Sequence, residues 1–193
     1  METAAYHHHD HHRQVVDHHD QQHQKKWEGE ASTELKTCKP QQVWPLLEDF
    51  FGLNKWFPTL SICLPVEGLS GQPGCVRYCA GFKTPVDDRN NKTSSKKEIR
   101  VNWTKQKLLS TDRTRMVFSY SIVDGNVGFH SYVSTVKVAP TEEGGCSIKW
   151  WYEVEPVEGW KPQDLDGFIG KGLQVMATRM EEALQAYVEV TKS

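Results

Sequence analysis

Apolar and polar residues alternate along much of the chain, in stretches that turn-forming residues separate. The first such stretch, KWEGEASTEL at 26–35, predicts an opening β-strand. Six further extended stretches follow Pro58, and the short polar turns between them predict an antiparallel meander. These six stretches cover residues 60–68, 74–82, 99–109, 115–125, 129–140 and 146–156.

Two segments instead carry apolar residues at helical spacing. Residues 40–56 begin with Pro40, which suits a first turn, and Gly52 predicts a break into two short helices. Residues 159–190 predict one long amphipathic helix with a single apolar stripe. The stripe consists of Leu165, Phe168, Ile169, Leu173, Met176, Met180, Leu184 and Tyr187.

This order of elements predicts an α+β fold. A seven-stranded, curved antiparallel sheet would wrap around the long C-terminal helix and leave a hollow between them, with two short helices after the first strand. Residues 86–98, VDDRNNKTSSKKE, predict a flexible polar excursion near the mouth of that hollow.

The N-terminal segment differs in composition from the rest of the chain. It holds eight of the nine histidines and few apolar residues, so residues 1–25 are predicted to be a disordered, solvated tail. Imidazoles at this density also bind Zn, Ni or Cu ions, which leaves a metal-binding tract as the alternative. Residues 26–193 are then expected to form a single ligand-binding domain.

Charge and cysteine content narrow the class of partner. A net charge of −2 gives no basic field for nucleic acid, and no apolar run of about 18 residues is present to span a membrane. The five cysteines lack metal-ligand spacing, and no secretory signal precedes them, which predicts reduced thiols in a cytoplasmic protein. No phosphate loop or nucleotide fingerprint occurs. The expectation is a monomer or weak dimer with a small hydrophobic ligand and no cofactor.

The segment GCVRYCAG at 74–81 places an arginine in a strand that otherwise has buried character. Alternation puts Arg77 on one face with Cys75 and Cys79. If that face is interior, the guanidinium needs a polar or anionic partner, because burying a lone cation is costly. The alternative is an arginine that reaches solvent from the strand end. The two cysteines are either small buried hydrophobes or thiols whose pKa the guanidinium lowers.

Several segments together resemble the helix-grip, START-like superfamily of polyketide cyclase/dehydrase and lipid transport proteins, and within it the plant lachrymatory factor synthase branch. The resembling segments are KW at 26–27, residues 39–68, PGCVRYCAG at 73–81, WTKQKLL at 103–109 and Phe129–Tyr132. The resemblance implies binding of a small hydrophobic molecule in the hollow. It also implies an enzyme of plant specialised metabolism that moves a proton to convert an alkenyl sulfenic acid into a thial S-oxide.

The resemblance also implies roles for particular residues. The family arginine that grips the substrate oxygen falls on Arg77, and a tyrosine from a later strand falls on Tyr132. The glutamate that shuttles the proton falls on Gln106, whose amide cannot act as a general acid or base. Alternation on 129–140 points His130 inward as a substitute base, while the alternative is a histidine at the rim of the sheet.

Alternation on the remaining strands predicts an aromatic lining for the hollow. The residues expected to contact the ligand are Cys75, Cys79, Phe129, Trp150, Tyr152, Phe168 and Met176. For Trp150 and Tyr152 the alternative is an ordinary place in the core. The predicted function is a cofactor-free isomerase, cyclase or lyase, and the alternative is a passive carrier of hydrophobic metabolites.

Overall fold

The protein is described by a computed structural model, which covers residues 25–91 and 100–193. The predicted N-terminal tail lies outside the described residues, as do residues 92–99 of the predicted polar excursion.

Seven antiparallel strands form one sheet in the order β1-β7-β6-β5-β4-β3-β2, so β1 and β2 are its two edges. The order confirms the predicted meander, with the opening strand paired to the last one. The strands are β1 Trp27–Leu35, β2 Ile62–Glu67, β3 Val76–Phe82, β4 Asn102–Asp112, β5 Val117–Gly125, β6 Val133–Pro140 and β7 Cys146–Val154.

The helices are α1 Pro40–Glu48, the 3-10 helix Phe50–Lys55, α2 Pro85–Asn91 and α3 Pro162–Lys192. Two short helices after β1 and one long C-terminal helix confirm the predicted order. Helix α1 ends just before Asp49, whose ψ of 78° leaves the helical region, so the first break comes earlier than the sequence predicted. The backbone also kinks at Gly52, inside the 3-10 helix, where φ is −94° and ψ is 16°.

Helix α2 corrects the prediction of an irregular excursion that starts at residue 86. Thr84 stands before the helix, and its backbone N–H and hydroxyl both donate to Asp87, at 2.9 and 3.0 Å. Asp87 N–H returns a bond to the Thr84 hydroxyl. This reciprocal capping, with Pro85 in the first turn, starts the helix. The sequence did not predict it because the polar composition of the segment is typical of a loop.

The hydrophobic core lies between the sheet and α3. Leu165, Leu173, Met176 and Met180 from the predicted stripe are buried, whereas Tyr187 near its end is exposed. Alternation on β7 is confirmed, because its even-numbered residues from 146 to 154 are buried. Among the described residues no helix combines the length and apolar character that crossing a membrane requires.

Candidate functional site

A cavity of about 110 Å³ lies between the sheet, the 3-10 helix and α3. Its wall is mostly apolar, which is typical of sites for small hydrophobic molecules. The lining residues are Leu53, Phe57, Leu60, Cys79, Phe82, Thr104, Gln106, Tyr120, Ile122, Phe129, Tyr132, Trp150, Leu165, Phe168, Ile169, Leu173 and Met176. Polar groups occur on one side, where β4 contributes Thr104 and Gln106, β5 contributes Tyr120, and Tyr132 comes from the residue just before β6.

Arg77 is buried beside this cavity, with 3% of its surface exposed. Its Nε donates to the Gln106 Oε1 and its Nη1 to the backbone carbonyl of Phe50, both at 2.8 Å. The guanidinium carbon lies 3.7 Å from the centroid of the Phe50 ring. In the part of the chain that the structure describes, no acidic side chain pairs with Arg77. A dry cation therefore lies there with neutral partners only, which the fold tolerates at a cost of several kcal/mol.

Gln106 separates Arg77 from the cavity. The two residues are directly opposite each other in the β3–β4 register, and Gln106 lines the cavity while Arg77 does not. Because the guanidinium binds the amide oxygen, the amide nitrogen is left for other partners. One of its hydrogens goes to the Thr104 hydroxyl at 3.1 Å, and the second is available to a ligand. Arg77 thus orients the Gln106 amide so that its nitrogen faces the cavity.

A second donor comes from a chain of buried hydrogen bonds that ends at Tyr132. Trp150 Nε1 donates to the Ser134 hydroxyl at 3.1 Å, and Ser134 donates to the Tyr132 oxygen at 2.6 Å. Tyr132 therefore keeps its own proton, for which the neighbouring Tyr120 hydroxyl and a ligand oxygen are the acceptors at hand. Burial raises the pKa of Tyr132 well above its ordinary value, so this phenol is a neutral donor at physiological pH.

His130 is exposed and does not line the cavity, so the prediction that it points inward as a base is wrong. The reason lies in the backbone. Strand β6 begins only at Val133, and Gly128 and Ser131 have φ of 82° and 52°. These left-handed residues interrupt the alternation on which the prediction depended.

The predicted lining residues divide into two groups. Cys79, Phe129, Trp150, Phe168 and Met176 line the cavity, together with the predicted catalytic residues Gln106 and Tyr132. The structure brings neither Cys75 nor Tyr152 to the cavity wall, although both are buried. Cys75 lies just before β3 begins, and the Tyr152 hydroxyl donates a short hydrogen bond to Asp166 on α3.

Sequence reasoning missed Tyr120 and the contribution of the 3-10 helix. Tyr120 lines the cavity beside Tyr132, with ring centroids 6.1 Å apart. Its place on an alternating strand with Phe118 and Ile122 was a signal that could have identified it. Leu53 and the neighbouring Phe57 had no comparable signal, because their position depends on the path of the chain after Asp49.

Three buried tyrosines predict a loss of stability at alkaline pH. Burial is the main cause that raises the pKa of Tyr120, Tyr132 and Tyr152. Above about pH 10 the unfolded chain releases phenol protons that the folded protein still holds, so folding stability falls as pH rises. Below that pH their contribution is fully present.

Chemical denaturation at pH 8 and pH 11 measures this effect. Tyr132→Phe should lessen the alkaline fall in the free energy of unfolding, whereas Tyr187→Phe at the exposed position should leave it unchanged. An alkaline fall of the same size in both variants would contradict the assignment to the buried phenol.

Comparisons with known proteins agree with this architecture. A family model described as "Polyketide cyclase / dehydrase and lipid transport" matches residues 26–189. The structure of major latex-like protein 151 from Panax ginseng is similar, with a TM-score of 0.62 at 15% identity, covering 82% of this chain and 97% of that one. The XoxI protein from Bacillus cereus gives a TM-score of 0.59 at 22% identity, with 81% and 94% covered.

Proposed function

The chain belongs to the polyketide cyclase / dehydrase and lipid transport family, and from this premise we propose that its cavity binds a small, mostly apolar molecule that carries one hydrogen-bond-accepting oxygen. The observation that carries the proposal is the arrangement of Arg77 behind Gln106. The buried guanidinium holds the amide oxygen, so the amide N–H and the Tyr132 O–H are offered to the ligand.

The size and lining of the cavity support a ligand of this kind. A volume of about 110 Å³ is of the same order as the apolar cavities, roughly 150 Å³, that take up benzene in other proteins. Apolar walls favour a hydrocarbon body, and two donors on one side favour a single oxygen. The Gln106 amide, the Tyr132 phenol and the Thr104 hydroxyl are all neutral at pH 7. Neutral donors of this kind suit a site that binds and orients a ligand.

Two probes of nearly equal shape test the proposal. Cyclohexanone carries a carbonyl oxygen where methylenecyclohexane carries a CH₂ group. If two donors meet the oxygen, the ketone should bind about thirtyfold tighter, since each net hydrogen bond contributes about 1 kcal/mol. Ligand-observed NMR titration of the full chain gives both dissociation constants. Equal affinities for the two probes would contradict the proposal.

Tyr132→Phe is expected to reduce the preference for the ketone by about fivefold, because it removes one donor and leaves the ring in place. Tyr187→Phe makes the same chemical change at an exposed position and should bind both probes like the original protein. If Tyr132→Phe keeps the full preference, Tyr132 does not donate to the ligand. The same NMR titration with both probes measures the preference in each variant.

The second candidate function is cofactor-free proton-transfer catalysis of the isomerase, cyclase or lyase type. Its support is the buried charge of Arg77 beside the cavity, since a preplaced cation in a dry site stabilises a developing oxyanion. The resemblance to lachrymatory factor synthase suggests an alkenyl sulfenic acid as the substrate. Catalysis ranks second because Gln106, which the resemblance to that synthase puts at the position of its glutamate, is an amide that does not titrate.

A further inference from the structure

Two cysteines of neighbouring strands face each other beside the cavity. Cys63 on the edge strand β2 lies directly opposite Cys79 on β3 in the antiparallel register. Both thiols are free. We propose that Cys63 and Cys79 form a redox-active dithiol, which hydrogen peroxide oxidises to a disulfide between β2 and β3. This chemistry goes beyond ligand binding and does not depend on it.

The backbone geometry permits this bond. Directly opposite residues of an antiparallel pair have Cα atoms about 4.5–5.5 Å apart, which falls inside the range that disulfides span. Their side chains also share a face, as the contact of Cys63 with the buried cluster of Leu60, Cys79 and Phe82 shows. Because β2 is an edge strand of the sheet that the structure describes, it can shift to accommodate the bond.

The surroundings make the two thiols unequal. The hydrogen bond with Cys79 is the main cause that lowers the pKa of Cys63, and the Arg77 charge and backbone bonds from Leu53 and Asn54 lower it further. The same hydrogen bond and burial raise the pKa of Cys79. Cys63 is also the more exposed of the two. Of the two thiols, Cys63 therefore has the lower pKa and the greater access, which favour it as the attacking sulfur.

The reaction proceeds in two balanced steps. The Cys63 thiolate attacks one peroxide oxygen, the S–O bond forms as the O–O bond breaks, and hydroxide leaves, so Cys63 becomes a sulfenic acid. The Cys79 sulfur then attacks the Cys63 sulfur, and the S–S bond forms as the S–O bond breaks. The Cys79 proton and the leaving hydroxide together give water. Two thiols are oxidised and one peroxide is reduced.

The remaining thiols are internal controls. Cys38, Cys75 and Cys146 are buried, and burial is the main cause that raises the pKa of each. They should react slowly with peroxide and with alkylating reagents at pH 7. Cys75 matters most as a control, because it lies two residues from Arg77 and yet lacks a cysteine partner in the strand register.

The experiment treats the reduced full chain with hydrogen peroxide and then blocks free thiols. Digestion that cleaves after both Glu67 and Arg77 separates the peptides of Cys63, Cys75 and Cys79. Mass spectrometry is expected to find a peptide pair joined through Cys63 and Cys79, and no joined pair that contains Cys75. Iodoacetamide should alkylate Cys63 at least about tenfold faster than the other four thiols at pH 7.

The single variants Cys79→Ser and Cys63→Ser report on the first oxidation step even if the disulfide forms slowly. In Cys79→Ser, Cys63 should stop at the sulfenic acid, which dimedone traps, while Cys63→Ser should give no dimedone adduct. Peroxide that joins Cys75 to either partner, or that oxidises Cys63 to the sulfinic acid without joining it to Cys79 in the original chain, would overturn the proposal. Cyclohexanone titration of the same reduced samples reports ligand binding separately.

Discussion

Replacing Arg77 with Met is expected to abolish the preference of the cavity for cyclohexanone over methylenecyclohexane and to weaken ketone binding by about tenfold to hundredfold. The variant removes the charge from the polar side of the cavity and frees the Gln106 oxygen. A freed amide can turn its oxygen toward the ketone oxygen, which replaces attraction with repulsion. A buried acceptor left without a donor costs about 1–3 kcal/mol, and this sets the expected range for the ketone.

The Arg77→Met protein should remain folded. The substitution relieves the cost of a buried cation, but it also leaves the Phe50 carbonyl without its donor. These effects oppose each other, so we expect the free energy of unfolding to change by less than about 2 kcal/mol. Arg115→Met, which removes an arginine whose side chain is 79% exposed, is the matched control. Undiminished ketone preference in a folded Arg77→Met protein would show that Arg77 does not act on the ligand.

The inward faces of β7 and of the first half of β4 could be predicted because alternation continues through these stretches. Thr104 and Leu108 are buried and Gln106 faces the cavity, as the lysines at 105 and 107 between them imply. His130 was misplaced because the same rule was extended past the start of β6. Ser131 adopts a positive φ without being glycine, and nothing in the residue pattern marks such a position.

The partners of Arg77 depended on distances that the sequence does not supply. Gln106 is opposite Arg77 through the β3–β4 register, which shifts between Ala80 and Phe82. The Phe50 carbonyl reaches the guanidinium only because the chain kinks at Asp49 and starts the 3-10 helix there. The pair of Cys63 and Cys79 escaped notice for a related reason, since only the β2–β3 register brings two residues sixteen positions apart into contact.

Replacing Gln106 with Glu is expected to give the protein proton-transfer activity. The new carboxylate would stand opposite Arg77, where the amide oxygen now accepts a hydrogen bond at 2.8 Å from the guanidinium. Arg77 would keep it ionised, and the cavity would then contain a base next to a bound substrate. A positioned general base contributes about 10² to 10⁴ in rate. Formation of thial S-oxide from an alkenyl sulfenic acid, released in situ and measured by gas chromatography, should rise at least about a hundredfold over the original protein.

Ser110→Glu separates the effect of position from the effect of charge, because Ser110 is exposed on the same strand as Gln106. It adds one carboxylate that cannot reach the cavity and should leave the rate at the level of the original protein. The double variant Gln106→Glu/Arg77→Met tests the cation, since a carboxylate buried without it should take up a proton and lose most of the gain. A folded Gln106→Glu protein that still binds methylenecyclohexane but forms no additional thial S-oxide would contradict proton transfer on this substrate and leave binding as the function of the cavity.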